Sequence, residues 1–327
     1  MINLLELETN KVSRNINDYS LMLTAPTGFG KTPFLAELYG DRGLILSFDN
    51  SHKGIEGVNA VNIDSYNILV SYVNQLMNPQ VREKFDAIII DTLSLLDFSC
   101  ENQVTDSYGK DLLGDCLQWN KAYKIVDKKF LTIIKQLQSM NYTMVYSCHP
   151  SEKKVKLNDG KEILRYDPKV SDRIKNLLVP EIDIRLFGAF DSEGKKVLYT
   201  HATPFFDARC RAGEMDKVIP FNAQALREAF VVGVERKVSK GNIVDNLEFK
   251  NVVKEQTRPF KDIKNDIMKY GTLLKEQGLG VKANEIVCQE LGLDNEGNQR
   301  TLQNVNEKMS PALEVICTKL KLQLEQI

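Results

Sequence analysis

A glycine-rich segment near the N-terminus combines backbone freedom with one lysine and one hydroxyl. It reads Ala25-Pro26-Thr27-Gly28-Phe29-Gly30-Lys31-Thr32 and matches the pattern G-x-x-x-x-G-K-[ST], with alanine at the first glycine position. In such a loop the backbone N–H groups point at phosphates, and the following helix turns its positive dipole end toward them. The lysine reaches the β- and γ-phosphates, and the hydroxyl ligates Mg²⁺. The spacing therefore predicts a nucleoside triphosphate site over 25–32, with Lys31 at the phosphates and Thr32 at the metal.

Two aspartates stand where short apolar runs end. Asp91 closes the run Ala87–Ile90, and Asp49 comes after Leu44–Phe48. The carboxyl ends of parallel strands form the edge where α/β sheets bind ligands, so we expect both acids to lie near the phosphates. Asp91 would hold Mg²⁺ through water, and Asp49 would orient or deprotonate the attacking water. Each could instead cap a turn, and Asp49-Asn50-Ser51 is good turn chemistry.

A histidine comes after a third apolar run, Tyr142–Cys148. His149 could sense the γ-phosphate by hydrogen bonding or polarise a water, although a histidine at a strand end is often structural. Ser147 and Thr92 are further candidates for polar contacts at the same edge. No partner that would orient a covalent nucleophile is visible beside Cys148.

The elements that must position these residues alternate between strand and helix. We predict strands at Tyr19–Thr24, Gly43–Phe48, Ala87–Ile90 and Tyr142–Cys148, and helices at Lys31–Tyr39, Ile68–Met77 and Leu117–Met140. This alternation predicts an α/β fold with a mostly parallel sheet that is covered on both faces. After His149, turn signals predict hairpins over Lys153–Arg165, with its turn at Asn158-Asp159-Gly160, and over Ile182–His201, with a short helix after them at Ala223–Phe230.

The C-terminal part differs in composition. We expect the core to end near residue 232 and residues 233–327 to form a charged linker and a helical region. The predicted helices there are Phe260–Gln277, Ala283–Leu291 and Ser310–Leu324.

Composition excludes several classes of protein. Among 327 residues, 43 Lys and Arg face 44 Asp and Glu, so no overall basic excess indicates nucleic acid. The six cysteines form no C-x-x-C pair, which indicates reduced thiols in the cytoplasm. The N-terminus lacks a basic signal-peptide region, and no apolar stretch approaches about 18 residues, so we expect no membrane contact.

Four motifs occur in the order found in RecA-fold ATPases: Ala25–Thr32, Leu44–Asp49, Asp86–Thr92 and Tyr142–His149. Over about residues 15–232 the chain resembles the short phage-encoded RecA-like ATPases of single-strand annealing and recombination. It resembles RecA and the DnaB-type helicases more distantly. The resemblance implies a RecA-like P-loop core, ATP with Mg²⁺, DNA-stimulated hydrolysis, single-stranded DNA, a ring or filament of identical subunits, and the cytoplasm of a bacterial host. It also implies Asp49 as catalytic base, where glutamate is commoner, and allows a phage single-strand-binding or replication protein as a partner.

A basic pair further along resembles the K-x-R-x-G stretch of hexameric RecA-like motors. In Asp207-Ala208-Arg209-Cys210-Arg211-Ala212-Gly213, Arg209 takes the lysine position and Arg211 the arginine-finger position. The resemblance implies that both reach the γ-phosphate bound by a neighbouring subunit. Alternatively, both pair with surface acids such as Glu214 and Asp216.

Two basic stretches could contact DNA, which requires cations and stacking aromatics. The first holds Lys153, Lys154, Lys156, Lys161 and Arg165 beside Tyr166. The second, Arg236–Lys275, has ten Lys and Arg, five Asp and Glu, and the aromatics Phe249, Phe260 and Tyr270. Either could be a solvated surface, and the second could serve oligomerisation or partner docking. Three other functions stay open: a helicase or helicase loader, a small-molecule kinase, and a nucleotide-binding scaffold without turnover.

Overall fold

The computed structural model describes residues 9–118, 121–157, 159–247, 259–292, 301–306 and 309–325. Contacts divide the chain into two compact units, one covering the described residues up to 247 and the other those from 259 onward. None of the helices in these ranges is long and apolar enough to span a bilayer.

The strands of the described residues are mostly short. They are β1 Val12–Ser13, β2 Leu21–Thr24, β3 Gly43–Ser47, β4 Ala60–Asn62, β5 Ala87–Asp91, β6 Thr143–Cys148, β7 Pro150–Lys156, β8 Glu162–Pro168, β9 Ile184–Phe190, β10 Lys196–Tyr199, β11 Arg209–Cys210, β12 Val218–Pro220 and β13 Ile243–Val244. The helices of the first unit are α1 Lys31–Tyr39, α2 Tyr66–Gln75, α3 Pro79–Lys84, α4 Leu93–Tyr108, α5 Leu113–Cys116, α6 Lys121–Ser139, α7 Asp172–Leu177 and α8 Ala223–Lys237.

One large sheet organises the first unit. Its strand order is β12-β10-β9-β2-β6-β5-β3-β4, with β11 pairing beside β10 on β9. The six strands from β9 to β4 are parallel, whereas β10, β11 and β12 join by antiparallel pairing. The carboxyl ends of β2, β3, β5 and β6 therefore meet at one edge, here called the loop edge. The predicted α/β class with a mostly parallel sheet is confirmed.

Both faces of this sheet are covered, and alternate residues of each strand enter different cores. Ile88 and Ile90 of β5 pack with α2, α4 and α6 on one face, and Ile89 packs with α1 and α8 on the other. All three side chains are essentially inaccessible to water. Apolar residues at every position of a central strand are what a parallel sheet between two helix layers requires.

The first unit continues past residue 232, the core boundary that the sequence predicts. Helix α8 runs on to Lys237 because Val234 is fully buried against the core. Strand β13 then pairs in parallel with β1, where Val12 lies opposite Ile243. These contacts place the end of the first unit well beyond α8.

The second unit is a small group of helices, as the sequence predicts. They are α9 Phe260–Glu276, α10 Gly280–Leu291 and α11 Ser310–Glu325. Ile263, Ile267, Leu274, Leu313 and Ile316 form the centre of a separate apolar core.

Candidate nucleotide site

The glycine-rich segment forms a tight loop between β2 and α1. Gly28 has φ of 75° and Gly30 has φ of 100°. Residues other than glycine rarely adopt such a left-handed backbone conformation. Gly30 is also the N-cap of α1, so the loop ends directly at the positive end of that helix. The sequence thus folds here as the phosphate-loop pattern predicts.

Close packing explains why a small residue starts the loop. Ala25 is fully buried, and its N–H donates to the carbonyl of Cys148 over 3.1 Å. On the neighbouring strand β9, a Cβ added to Gly188 would lie 2.9 Å from the Ala25 methyl and 2.7 Å from a ring atom of Phe29. The loop therefore packs directly on the backbone of β9, and a side chain larger than alanine at residue 25 has no room.

The Lys31 ammonium fills the inside of the loop. Its Nζ donates to the carbonyls of Ala25 at 3.0 Å and Pro26 at 3.1 Å, and lies 3.1 Å from Nδ1 of His149. Only 6% of Lys31 is exposed, and this burial lowers the pKa of its amine, while the charges of Asp91 and Asp49 oppose the shift. All three ammonium hydrogens thus have acceptors that phosphate oxygens can replace.

His149 lies at the loop edge as predicted and contacts the loop itself. Its Nδ1 is 3.3 Å from the Thr27 hydroxyl as well as close to Lys31. Burial lowers the pKa of the imidazole below its ordinary 6.5, and the Lys31 charge acts in the same direction. A neutral ring is therefore favoured, and its Nδ1 can accept a hydrogen bond from the ammonium.

Asp91 is a buried carboxylate surrounded by hydroxyls. Thr32 donates to its Oδ2 over 2.6 Å and Ser51 over 2.7 Å, while Ser147 donates to Oδ1. Only 1% of Asp91 is exposed, and no Lys or Arg of the described residues forms an ion pair with it. Buried charges in proteins are normally paired or coordinate a metal.

This set of oxygens fits Mg²⁺. Magnesium takes oxygen ligands, commonly one or two carboxylates with waters and substrate phosphates, rather than a cage of protein groups. Thr32 and Asp91 supply a hydroxyl and a carboxylate beside the loop, and the described residues contain no cluster of three or more acidic, His or Cys side chains that could hold a metal alone.

Asp49 forms the turn that carries Ser51, which contacts Asp91. Its Oδ1 accepts the N–H of Ser51 over 3.0 Å, as a turn-forming aspartate does, and lies 3.5 Å from the hydroxyl of Ser47. Its charge opposes the lowering of the pKa of Lys31 and of His149 that burial causes. The role of Asp49 as a base stays a prediction.

The comparison with protein families agrees with this geometry. A family model described as an AAA domain matches residues 17–212, which is more than half of the chain. The chain belongs to the AAA domain family. This membership supports a P-loop ATPase and implies nucleotide binding. A search of curated proteins found no match.

The arginine pair of this AAA domain lies at the opposite edge of the sheet. Cys210 of β11 pairs with Ile184, and Ile184 pairs with Leu21 at the start of β2, whereas the loop comes after the end of that strand. Arg209 and Arg211 are therefore not brought to the phosphate loop of their own chain. A contact with a neighbouring subunit stays a prediction.

Among the described residues Arg211 does pair with an acid, as the alternative interpretation expects, but that acid is Asp183 and not Glu214 or Asp216. Arg211 donates to the carbonyls of Pro180 and Glu181, the latter over 3.3 Å, and approaches Asp183 at 3.5 Å. Asp216 pairs instead with Arg236 at 2.7 Å. The backbone N–H of Arg211 also donates to the carbonyl of Asp183, which fixes the arginine beside this segment.

Two residues beside the loop have no signal in the sequence. Ser51 contacts Asp91, but a serine two residues after a strand-end acid is too common a pattern to single out.

The Lys196 ammonium lies over the rings of Phe29 at 5.4 Å and Phe221 at 6.0 Å. A Cβ at Gly30 would be only 3.7 Å from that ammonium. Lys196 belongs to an antiparallel strand, and no spacing rule connects it with the loop.

The first basic stretch of the AAA domain is a two-stranded ribbon formed by β7 and β8. Lys153 lies opposite Arg165, and Lys154 lies opposite Leu164, so the two lysines point to different faces. Arg165 is paired with Asp167 at 2.9 Å, whereas Lys153 and Lys154 are exposed without an ion pair among the described residues. Residue Asn158 of the expected turn lies outside the described residues.

The second basic stretch is only partly described. Phe249 and the basic residues Lys250, Lys254 and Arg258 lie outside the described residues. Phe260 and Tyr270 pack against the apolar core of the helical unit. In the described part, these two aromatics therefore contribute to packing.

Proposed function

We propose that this chain is a Mg²⁺-dependent ATPase that is stimulated by single-stranded DNA and acts as a ring or filament in phage recombination, annealing or replication. One observation carries the proposal. The basic ribbon begins at Pro150, immediately after His149, and His149 contacts Lys31 and Thr27 of the phosphate loop. A surface suited to a polyanion and a site suited to a triphosphate are thus adjacent along the chain.

The chemistry at the loop would be divided among a few side chains. Lys31 would bind the β- and γ-phosphates, and Thr32 and Asp91 would hold the metal. Bound Mg²⁺ supplies charge that offsets the negative charge developing on the phosphates. Asp49 would orient the attacking water or accept its proton, and His149 would hydrogen bond to the γ-phosphate.

DNA contact is supported by charge and by the shape of the ribbon. Lys153 and Lys154 are exposed on two faces, so they are available to backbone phosphates on either side. Tyr166 lies at the base of the ribbon, 6.1 Å from the ring of Phe187, and is partly buried. Phosphate contacts therefore carry this part of the proposal, with stacking as a smaller contribution.

Assembly is supported by the position of the arginine pair. Arg211 is distant from its own loop along the sheet, so it can act on a triphosphate only if a second subunit brings its loop to this edge. The charge of an arginine there would stabilise the transition state.

Steady-state ATP hydrolysis with and without single-stranded DNA, at two salt concentrations, tests the proposal. We expect DNA to increase the rate and salt to weaken this effect, because binding to phosphates releases counterions. Hydrolysis that is indifferent to DNA would contradict the DNA role and leave the ATPase in place. ATP-driven separation of a duplex would instead identify a helicase.

A further inference from the structure

Ser51 joins the two aspartates of the loop edge. Its N–H donates to Oδ1 of Asp49 over 3.0 Å, and its hydroxyl donates to Oδ2 of Asp91 over 2.7 Å. The same hydroxyl oxygen lies 3.2 Å from Oγ1 of Thr32. One residue therefore contacts the candidate base, the metal-side carboxylate and the metal-side hydroxyl.

The turn after β3 is shaped to bring Ser51 to this place. Asn50 has φ of 61°, in the left-handed region that asparagine tolerates better than most residues. A short 3-10 turn, Ser51–Gly54, comes at once, and the N–H of Phe48 holds the strand end to the carbonyl of Asp91 over 2.7 Å. Ser51 is exposed while Asp91 is buried, so the serine lies on the solvent side of the carboxylate.

We propose that Ser51 is a positioning residue for the metal side of the ATP site. Its hydroxyl fixes the orientation of the Asp91 carboxylate for Mg²⁺ and connects that carboxylate to the turn that carries Asp49. The inference rests on the proposed ATPase function. Groups that hydrogen bond to metal-binding side chains typically change metal affinity when they are removed, because the ligand loses its orientation.

The main alternative is that Ser51 only completes the turn. These two roles use different atoms of the residue. The turn needs the backbone N–H that Asp49 accepts, and Ser51→Ala keeps that group. The substitution removes only the hydroxyl that contacts Asp91 and Thr32, so it separates positioning from turn formation.

Binding of a fluorescent ATP analogue, titrated with Mg²⁺, tests the proposal without relying on turnover. For Ser51→Ala we expect the half-saturating Mg²⁺ concentration to rise roughly tenfold, while binding without Mg²⁺ stays as in the wild type. Ser51→Thr keeps a hydroxyl and should restore the wild-type value to within about twofold. Ser139→Ala is the matched control, because its hydroxyl donates only to a helix carbonyl, that of Gln136, at an exposed position.

Two outcomes would overturn the inference. Ser51→Ala could titrate as the wild type does, which would reduce Ser51 to a turn residue. Ser51→Thr could be as impaired as Ser51→Ala, which would make the size of the side chain and not its hydroxyl decisive. Failure of the wild type to bind the analogue at any Mg²⁺ concentration would instead contradict the proposed function itself. Thermal unfolding midpoints without nucleotide establish that each variant is folded.

Discussion

The two edges of the central sheet differ in how they hold their charged residues. At the loop edge, Lys31 lies 3.1 Å from Nδ1 of His149, and Thr32, the next residue along the chain, donates to Asp91 over 2.6 Å. At the opposite edge, Arg211 contacts the backbone carbonyls of Pro180 and Glu181 and pairs with Asp183 at 3.5 Å. The loop edge thus combines a cation, a hydroxyl and a carboxylate beside the phosphate loop, whereas the contacts of Arg211 hold it to the segment around Pro180. The edge that carries Arg209 and Arg211, here called the arginine edge, therefore needs a second subunit before it can take part in the chemistry proposed for the loop.

Removal of the loop lysine should give the largest effect. Lys31→Ala takes away the charge held against the transferred phosphate, so ATP hydrolysis should fall by about 10² or more. Steady-state hydrolysis by the purified variant measures this. Lys128→Ala, on the exposed surface of α6, is the control for loss of a lysine. Undiminished hydrolysis by Lys31→Ala would refute the assignment of the phosphate loop.

The arginine edge can be tested by mixing variants. Arg211→Ala should slow turnover by roughly 10-fold or more and leave nucleotide binding intact, because a finger acts on the transition state of a neighbouring site. Asp91→Ala subunits lack a working metal side but still carry Arg211. In mixtures, their Arg211 should restore activity at the intact loops of Arg211→Ala subunits, so activity should exceed the sum of the two.

Additive activity in that mixture would mean that sites are not shared and that the arginine edge is only structural. Arg211→Lys keeps a charge but not the planar donor group, so it should rescue only partly. A large drop in thermal stability of Arg211→Ala would assign the residue to holding the segment around Pro180 instead.

The basic ribbon gives a smaller and more specific prediction. The double variant Lys153→Ala, Lys154→Ala should bind single-stranded DNA more weakly. The slope of log affinity against log salt concentration should become smaller in magnitude by about 1.4, because each phosphate contact contributes about 0.7 for single strands. Fluorescence anisotropy with a labelled oligonucleotide at several salt concentrations measures the slope. Lys195→Ala is a suitable control because that lysine is paired with Glu193 on a different hairpin. An unchanged slope would exclude the ribbon as a phosphate contact.

The smallest expected effect concerns pH and stability. The folded pKa of His149 lies below its ordinary 6.5 under the influence of burial, Lys31 and Lys169, opposed by Asp49 and Asp91. Below that ordinary value the unfolded chain binds more protons than the folded one, so the free energy of unfolding falls as the pH decreases toward the folded pKa. His149→Gln should remove this contribution, which stays below about 1 kcal/mol because water screens a partly exposed ring.

Denaturant unfolding of both proteins at about pH 7.5 and about pH 5.5 measures the difference, since these values lie on either side of the ordinary histidine pKa. The wild type should lose more stability than His149→Gln between these two values. Equal losses would mean that His149 is not held in its neutral form by the loop.

The sequence predicts well the residues at the ends of parallel strands. The phosphate loop, Asp49, Asp91 and His149 are expected at one edge because the ends of parallel strands must meet there, and the structure places them so. Helix α1 has the bounds Lys31–Tyr39 that the sequence predicts. Local spacing and strand direction are sufficient for this part of the site.

Other features depend on tertiary packing that spacing does not encode. Helix α4 is absent from the elements that the sequence predicts, because its Ser, Asp and Thr residues weaken the local helix preference. It is stabilised by burial of Leu96, Cys100 and Val104 against the sheet.

Ser51 reaches the site through a left-handed turn, and Lys196 reaches it from an antiparallel strand. The place of the arginine pair results from the pairing of β11 with β9, which no motif indicates.

The base of the basic ribbon has a further consequence. The N–H of Lys169, just after β8, donates to the carbonyl of His149 over 2.7 Å, so both ends of the ribbon are attached at the histidine that contacts Lys31. We expect a ligand that shifts this base to alter the loop as well. Such a ligand changes the affinity for nucleotide by some factor. Thermodynamic reciprocity then requires that nucleotide changes the affinity for the ligand by the same factor. Two independent titrations must therefore return the same ratio.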